Sequence, residues 1–238
     1  MKVIDKTFPT PAENLAFDEV LLNACEEGHG DEVLRFWESP TLFVVLGSSG
    51  SVATETYRDA CVKAGVPVLR RHSGGGTVLQ GPGCLNYALI LRIDGAERLA
   101  GIAESNTHIM TRNAEALSFL LEGVQVQGYT DLTLHGRKFS GNAQRRRQRC
   151  LLFHGTFLNA FPIETIGSLL PVPPRQPAYR KGLPHGSFLV NTGLAPEAIT
   201  FALSTHWGAT EPLEVIPAGE VSVLAREKYS SPAWINRV

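Results

Sequence analysis

Arg70-Arg71-His72-Ser73-Gly74-Gly75-Gly76-Thr77-Val78 is the stretch that decides how this chain is interpreted. Three successive glycines are costly to order, because glycine loses more backbone freedom on folding than any other residue. Such a run is useful where the backbone approaches a ligand closely and points its N–H groups at an anion. The two preceding arginines add guanidinium groups suited to phosphate or carboxylate oxygens. A β-bulge or hairpin turn carrying two surface arginines accounts for the same residues equally well.

The spacing within this stretch excludes two familiar nucleotide motifs. Residues 70–78 fit neither GxxxxGK[ST] nor GxGxxG, so they predict neither a P-loop nor a dinucleotide-binding turn. Any phosphate bound here must be held in a different way.

Two segments downstream carry further candidate chemistry. Gly136-Arg137-Lys138-Phe139-Ser140-Gly141-Asn142-Ala143 places a lysine between glycines in a strand pattern. If Lys138 points into a pocket, its fixed charge can neutralise charge that develops between a carboxylate and a phosphate; otherwise it is an ordinary solvated lysine. Phe153-His154-Gly155-Thr156 places a histidine in an apolar strand, which alone favours a core or edge histidine over a catalytic one.

Length and composition predict one globular domain over residues 1–238. Hydrophobic residues make up 43% of the chain and charged residues 19%, and the formal net charge is −1. The balance gives no basic field for nucleic acid or an anionic membrane, so neither is an expected partner. No apolar run reaches the roughly 18 residues that span a bilayer, and residues 1–11 lack a signal-like segment. We therefore expect a cytoplasmic protein.

The four cysteines are expected to be small buried residues. Cys25, Cys61, Cys84 and Cys150 are far apart and form no CxxC pair. This spacing argues against a cysteine metal site, and the absence of a secretion signal argues against a disulfide framework.

Hydrophobic periodicity predicts a mixed α/β domain. Strands are expected over residues 33–37, 42–46, 66–69, 85–93, 124–127, 131–134, 138–143 and 151–158. Helices are expected over residues 14–26, 52–64, 103–121, 196–206 and 221–229. The Pro- and Arg-rich stretch 171–184 is predicted to be a surface loop.

Taken together, these segments resemble the lipoate–protein ligase A family of the biotin/lipoate A/B protein ligase superfamily. The resemblance covers almost the whole chain in the expected order and adds Asn14-Leu15-Ala16, Asn86, Asp131-Leu132, Lys228-Tyr229 and Trp234-Ile235-Asn236. It implies an α/β (α+β) fold in which a mixed β-sheet is flanked by helices, as in biotin ligases and, more distantly, class II synthetase catalytic domains.

The resemblance also implies a two-step reaction. Lipoate, or a related acid such as octanoate, attacks the α-phosphate of ATP to give acyl-AMP, and a lysine of an acceptor lipoyl-domain protein then takes the acyl group. The implied catalytic residue is Lys138. The implied ATP or adenylate ligands are Arg70, Arg71, Ser73, Gly74, Gly75, Gly76, Thr77, Val78, Leu79, Asn86 and Lys138. The implied lipoyl ligands are Lys138, Gly141, His154 and Gly155, and Mg²⁺ is expected near Asp131.

The chain departs from this family in three places. The family's His-Asp after the glycines is replaced here by Gln80-Gly81-Pro82-Gly83, which is similar to the related octanoyltransferases. Thr130 stands where an asparagine commonly precedes the Asp131 position. The chain also ends at residue 238, so the family's C-terminal accessory domain is expected either as a separate subunit or not at all.

Alternative functions stay open at this stage. An ATP-independent octanoyl or lipoyl transferase would act through a cysteine thioester, but residues 128–130 and 169–173 contain no cysteine, which leaves Cys84 and Cys150 at unfamiliar positions. Biotin ligation is disfavoured because residues 70–76 do not match a Gly-Arg-Gly-Arg type loop. A silent acceptor-binding protein would not need Lys138 and the glycine run.

Two basic clusters have no assigned role. Arg145-Arg146-Arg147-Gln148-Arg149 is either a solvated hairpin tip or a docking surface for an acidic acceptor domain, in which case Arg146→Glu would slow acceptor modification alone. The second cluster, in or beside the Pro-rich loop, consists of Arg175, Tyr179, Arg180 and His185.

Overall fold

A computed structural model describes all residues, 1–238. The strands are β1 (Lys2–Asp5), β2 (Val33–Glu38), β3 (Phe43–Leu46), β4 (Val68–Arg70), β5 (Val78–Gln80), β6 (Cys84–Arg92), β7 (Val124–Gln127), β8 (Asp131–Leu134), β9 (Arg137–Arg146), β10 (Cys150–Leu158) and β11 (Glu211–Pro212). The helices are α1 (Pro11–Glu27), α2 (Val52–Glu55), α3 (Arg58–Lys63), α4 (Ile102–Ser118), α5 (Ile166–Leu169), α6 (His185–Phe188), α7 (Pro196–Trp207), α8 (Ala218–Leu224) and α9 (Pro232–Ile235).

The strands form a large mixed sheet and a small one. The large sheet has the order β11-β1-β2-β6-β10-β9-β8-β7, and the small sheet has the order β4-β3-β5. In the large sheet, β11, β1 and β2 run parallel and the remaining neighbours are antiparallel. The predicted fold class, a mixed sheet flanked by helices, is confirmed.

Helices cover both faces of the large sheet. On one face, α1 and α8 pack on alternate strand residues such as Ala88, Ile90 and Leu152. On the other, α4 and α7 pack on the intervening residues such as Leu89 and Leu91. Because β6 is buried on both faces, its residues 87–91 are a continuous apolar run rather than an alternating one.

Helix α1 begins three residues before its predicted start. Thr10 forms a capping box with Glu13, and Pro11 occupies the first turn. Gly28 ends the helix with a left-handed backbone (φ 89°). The apolar periodicity begins only after the first turn, so the periodicity alone placed the start too late.

The predicted helix over residues 52–64 is broken into α2 and α3. Thr56 is extended (φ −138°), and the N–H of Tyr57 donates to the carbonyl of Leu169. A contact distant in sequence therefore interrupts a locally continuous pattern. The predicted last helix also changes form, because α8 runs on into a π-helical turn over Ala225–Tyr229. None of the nine helices combines the length and hydropathy that crossing a bilayer requires.

The expectation that no cysteines are bonded to each other was wrong for one pair. Cys25 at the end of α1 and Cys150 at the start of β10 form a disulfide with a Cα–Cα distance of 6.4 Å. The two are 125 residues apart in sequence, so only the packing of α1 on the sheet brings them together. Cys61 and Cys84 are free and buried, as predicted.

Candidate active site

The candidate site lies on the sheet face that α1 covers. The strand register pairs Asn86 with Thr156, Thr156 with Gly141, and Gly141 with Asp131. Residues paired across strands point to the same face, so these four form one row across β6, β10, β9 and β8. His154 lies in the next row on the same face. The fold thus brings together Asn86, Gly141, Asp131 and His154, which the sequence had singled out separately.

Lys138 points into this site. It lies three positions before Gly141, an odd spacing that would place the two on opposite faces of a regular strand. A β-bulge at Phe139 shifts the register and returns both to one face. Nζ of Lys138 lies 2.7 Å from Oδ1 of Asp131, and the side chain is 24% exposed. It crosses Gly141 so closely that a Cβ there would lie 2.5 Å from Nζ.

The glycine segment, residues 73–77, turns its carbonyls inward. Nη2 of Arg71 donates to the carbonyls of Gly74 (2.5 Å) and Gly76 (2.9 Å). The N–H groups of Gly74, Gly75 and Gly76 donate to no group of the chain, and Gly75 has φ 87°. Gly75 and Gly76 are exposed. The turn therefore presents three free backbone donors, which is an arrangement suited to an anion.

Close backbone contacts hold the glycine segment over the sheet. A Cβ at Gly75 would lie 3.6 Å from that of Ala143, which is two residues from Gly141 on the same face. On its other side, a Cβ at Gly47 would lie 2.0 Å from the carbonyl oxygen of Gly75. The segment and Lys138 therefore lie over the same part of β9.

The two arginines shape this region through backbone carbonyls. The buried Arg70 guanidinium donates to the carbonyls of Gly47, Ser48, Gly50 and Ile235. Arg71 is also buried, and this burial lowers its pKa to about 10. In this structure their donors support the loops around the site. The predicted direct contact of Arg70 and Arg71 with phosphate stays a prediction.

The remaining members of the predicted nucleotide set have unequal positions. Thr77 donates its hydroxyl to Oε2 of Glu55 at 2.6 Å. Val78 and Leu79 belong to β5, and Leu79 is packed in the apolar core beneath the small sheet. Asn86 is buried with its amide 3.3 Å from the Cys84 carbonyl. Thr77 is thus the last residue of the glycine segment, whereas Leu79 packs in the core and has no side-chain atom free for a ligand.

His154 is held from both sides. Its Nε2 lies 2.6 Å from Oγ of Ser73, and its Nδ1 lies 3.0 Å from Oδ2 of Asp18. Sequence analysis missed Asp18, although a carboxylate among the apolar residues of α1 was a usable signal. At Gly155 a Cβ would face the opposite side of the sheet and lie 1.8 Å from Oδ1 of Asn142. Only the backbone of Gly155 could meet a lipoyl group on the His154 side, and that contact stays a prediction.

Asp131 binds two side chains of the protein. Besides Lys138, it accepts a 2.7 Å hydrogen bond from the hydroxyl of Tyr179, which was in the unassigned cluster. Burial and the Asp131 charge raise the pKa of Tyr179. No group of three or more His, Cys, Asp or Glu side chains is arranged to hold a metal ion. Mg²⁺ often uses one or two carboxylates with substrate phosphates, so Asp131 fits that role only if Tyr179 releases it.

The cysteines are poorly placed for a thioester mechanism. Burial raises the pKa of the Cys84 thiol to about 12. Cys150 is in the disulfide, and Cys61 is buried beneath the small sheet. None of these sulfurs is an accessible thiolate in this structure.

The arginine run mostly braces the β9–β10 hairpin. Arg146 donates to the carbonyls of Leu99, Ala100 and Gly101, Arg147 to Oδ1 of Asn23, and Arg149 to the carbonyl of Glu26. Arg145 alone is exposed without a hydrogen-bond partner, and it is on the same sheet face as Ala143. The hairpin tip predicted from sequence is present, but its arginines are not a uniformly free surface.

Comparison with known proteins identifies the family. Residues 10–187 match the family described as the lipoyl protein ligase A/B catalytic domain. The chain belongs to this family. It is 32% identical over 187 residues to octanoyltransferase LipM of Carboxydothermus hydrogenoformans, a match that covers 71% of this chain and 68% of that protein. It is also 31% identical over 157 residues to a putative lipoate-protein ligase A of Aeropyrum pernix, a match that covers 66% of this chain and 56% of that protein. A probable lipoate-protein ligase A of Mycoplasma pneumoniae is 30% identical over 148 residues, which cover 62% of this chain and 42% of that protein.

Solved structures share the fold of this family member. A bi-partite lipoate protein ligase from Thermoplasma acidophilum, solved with its E2 lipoyl domain, aligns with a TM-score of 0.81 at 21% identity, covering 98% of this chain and 95% of that chain. A lipoate-protein ligase A bound with ATP aligns with a TM-score of 0.78 at 22% identity, covering 98% and 96%. At these identities the likeness shows the fold alone. Because the relatives' names include both ligases and octanoyltransferases, the protein is an enzyme of this combined class.

Proposed function

We propose that this protein is an ATP-dependent lipoate–protein ligase. It activates lipoate, or a related acid such as octanoate, to acyl-AMP and transfers the acyl group to a lysine of an acceptor lipoyl-domain protein. One observation carries the proposal: the ammonium group of Lys138 lies on the same part of the sheet as three backbone N–H groups that bind nothing within the chain.

This pairing suits the chemistry of acid activation. A carboxylate oxygen attacks the α-phosphorus of ATP, the bond to the bridging oxygen breaks, and pyrophosphate leaves. Negative charge is redistributed between the carboxylate and the α-phosphate during this step. A single ammonium group between them and N–H groups directed at the phosphate stabilise that charge in a preorganised site. Positioning provides the remainder, and no protein nucleophile is required.

Asp131 keeps the lysine in place before substrate arrives. The Asp131 carboxylate is the counter-ion of this partly buried ammonium group and holds it over the sheet. When an acid and a nucleotide enter, their anionic groups compete with Asp131 for Lys138. Bound Mg²⁺ would supply charge neutralisation for the departing pyrophosphate, and Asp131 is the side chain offered for it.

A transferase acting through a thioester is the second candidate. The similarity to an octanoyltransferase favours it. The raised pKa of Cys84 and the pairing of Cys150 count against it, because thiolate is the nucleophilic form.

The partners and organisation are part of the same proposal. The Thermoplasma ligase was solved with an E2 lipoyl domain and is described as bi-partite. By analogy we propose an acceptor lipoyl domain and a separate accessory subunit for this protein, with residues 1–238 forming one catalytic domain. Its place in the cytoplasm stays a prediction.

The test is direct detection of acyl-AMP. Purified protein is incubated with ATP, Mg²⁺ and lipoate or octanoate, and products are identified by mass spectrometry. We expect acyl-AMP and pyrophosphate from the wild type and from the exposed control Lys63→Ala, and a rate about 100-fold lower from Lys138→Ala. Acyl transfer from an octanoyl thioester without ATP, together with no acyl-AMP, would replace the ligase proposal by the transferase.

A further inference from the structure

A continuous chain of polar side chains connects α1 to the glycine segment. It runs from Arg35 through Asp18 and His154 to Ser73, and each of the three contacts between them is 3.0 Å or shorter. Arg35 and Ser73 are fully buried, and Asp18 is 2% exposed. The role assigned to His154 by family resemblance, a contact with the acyl group, accounts for neither Asp18 nor Ser73.

We propose that Asp18, His154 and Ser73 are positioning residues that fix the glycine segment for nucleotide binding. This inference rests on the proposed function, because it takes ATP as the ligand of the free glycine N–H groups. The three residues act through the position of the turn and do not touch the reacting atoms.

The direction of each hydrogen bond follows from the charge at one end. Nη1 of Arg35 donates to Oδ1 of Asp18. Burial raises the pKa of the Asp18 carboxyl, but Arg35 and His154 outweigh it and hold the pKa below its ordinary value. An ionised carboxylate only accepts, so Nδ1 of His154 is the donor in its contact with Asp18. In the Nδ1–H tautomer, Nε2 accepts the proton of the Ser73 hydroxyl.

At the Ser73 end, this series of hydrogen bonds reaches the carbonyls of the glycine segment. Oγ of Ser73 accepts from Nε of Arg71 at 3.1 Å, and the same guanidinium holds the carbonyls of Gly74 and Gly76. The carbonyl of Ser73 accepts from the N–H of Ser48 at 2.8 Å. Loss of the Ser73 hydroxyl therefore removes one hydrogen bond of Arg71 and also the side-chain contact between the turn and His154.

Asp, His and Ser also form the nucleophilic triad of serine hydrolases. The burial of Ser73 decides between a nucleophilic and a positioning role. Ser73 is fully buried, and its hydroxyl is hydrogen-bonded to His154 and also accepts from Arg71. An attacking oxygen must be reachable by a carbonyl carbon, whereas a positioning hydroxyl is best enclosed and fully bonded.

The experiment compares Ser73→Ala, Asp18→Asn and the double variant in acyl-AMP formation. We expect Ser73→Ala to raise KM for ATP about tenfold with kcat within about threefold, the magnitude of one lost hydrogen bond. Because Asp18 acts through Ser73, the effects of the two substitutions are not expected to multiply. The double variant should have the KM for ATP of whichever single variant has the higher KM. The control Ser105→Ala removes another buried, bonded hydroxyl, on the opposite face, and leaves KM unchanged.

Nitrogen-15 histidine NMR of the full chain gives a readout that needs no turnover. We expect His154 as the Nδ1–H tautomer in the wild type and an altered tautomer in Asp18→Asn. Two kinetic results would overturn the positioning role: an unchanged KM for ATP in Ser73→Ala, or an equal rise of KM in Ser105→Ala. An Nε2–H tautomer of His154 in the wild type, or an acyl ester on Ser73, would overturn it as well. If the wild type forms no acyl-AMP, the proposed function itself is wrong. If the wild type forms acyl-AMP and Ser73→Ala has the same KM for ATP, only the positioning role is wrong.

Discussion

Nζ of Lys138 lies 2.7 Å from Oδ1 of Asp131, directly over the α-carbon of Gly141. The lysine reaches this carboxylate only because position 141 has no side chain and a bulge at Phe139 aligns the two residues. The central charge of the proposed site thus depends on the backbone beneath it as much as on the lysine.

Gly141→Ala tests this dependence. Its methyl group would meet the Lys138 ammonium, so we expect the side chain to move and kcat for acyl-AMP formation to fall about 10- to 100-fold. Gly219→Ala is the matched control, because a Cβ there meets nothing within 4 Å. Activity that survives Gly141→Ala would show that Lys138 works from another position.

Tyr179→Phe tests whether Asp131 must be released to bind a metal ion. Removing the hydroxyl frees Oδ2 of Asp131, so the Mg²⁺ concentration for half-maximal activity should fall. Tyr129→Phe alters a side chain that is 90% exposed and should leave the Mg²⁺ titration unchanged. An unchanged titration in Tyr179→Phe argues that Asp131 serves Lys138 alone.

Reduction should destabilise the protein through the Cys25–Cys150 bond. Opening a loop of 125 residues corresponds to about 5 kcal/mol in the chain-entropy account. For a protein of this size the midpoint of thermal unfolding should fall by about 10 °C on adding a reductant. The measurement is a melting curve with and without reductant, repeated on Cys25→Ala/Cys150→Ala, which should not respond. Four titratable thiols in the unreduced, unfolded protein would exclude the bond.

Arg145→Glu and Arg146→Glu should have different consequences. Arg145 is exposed and unpaired, so its reversal should slow acceptor modification several-fold at low salt while acyl-AMP formation continues. Arg146 binds backbone carbonyls beside α4, so its reversal should lower the melting temperature and both half-reactions. Separate rates for acyl-AMP formation and acyl transfer distinguish the two. If Arg145→Glu transfers at the wild-type rate, the hairpin is not a docking surface.

Alkylation tests the state of Cys84. With its pKa raised to about 12 by burial, the native thiol should resist iodoacetamide at pH 8 and react only after unfolding. Above the pKa of the unfolded thiol, about 8.5, the unfolded chain loses a proton that the folded chain keeps, and this loss favours unfolding. Stability is therefore expected to fall from about pH 9 towards 12, and less so in Cys84→Ala. Rapid alkylation of native protein would revive the thioester alternative.

The sequence predicted the fold class, and it singled out several residues that the fold brings to one face of the sheet. Strands 124–127 and 131–134 were placed at their observed ends, and Lys138 was identified from its glycine neighbours. Local patterns contain that information because strands and glycine turns have local signatures.

Other features depend on contacts that only the fold creates. Tyr179 and Asp18 reach the site from a loop and a helix far away in sequence, and the disulfide joins two distant cysteines. The family resemblance implied a lipoyl contact for both His154 and Gly155, although neighbours in a strand face opposite sides of the sheet.

The contact between Gly47 and Gly75 limits how this site can be transplanted or diversified. A side chain at position 47 would occupy the space of the Gly75 carbonyl oxygen, although the two positions are in different loops. Grafting residues 70–78 onto another scaffold would therefore fail unless the scaffold also had a glycine at the position that faces Gly75. Random mutagenesis of residues 70–78 would vary only one side of this contact, because Gly47 lies outside that segment, before β4.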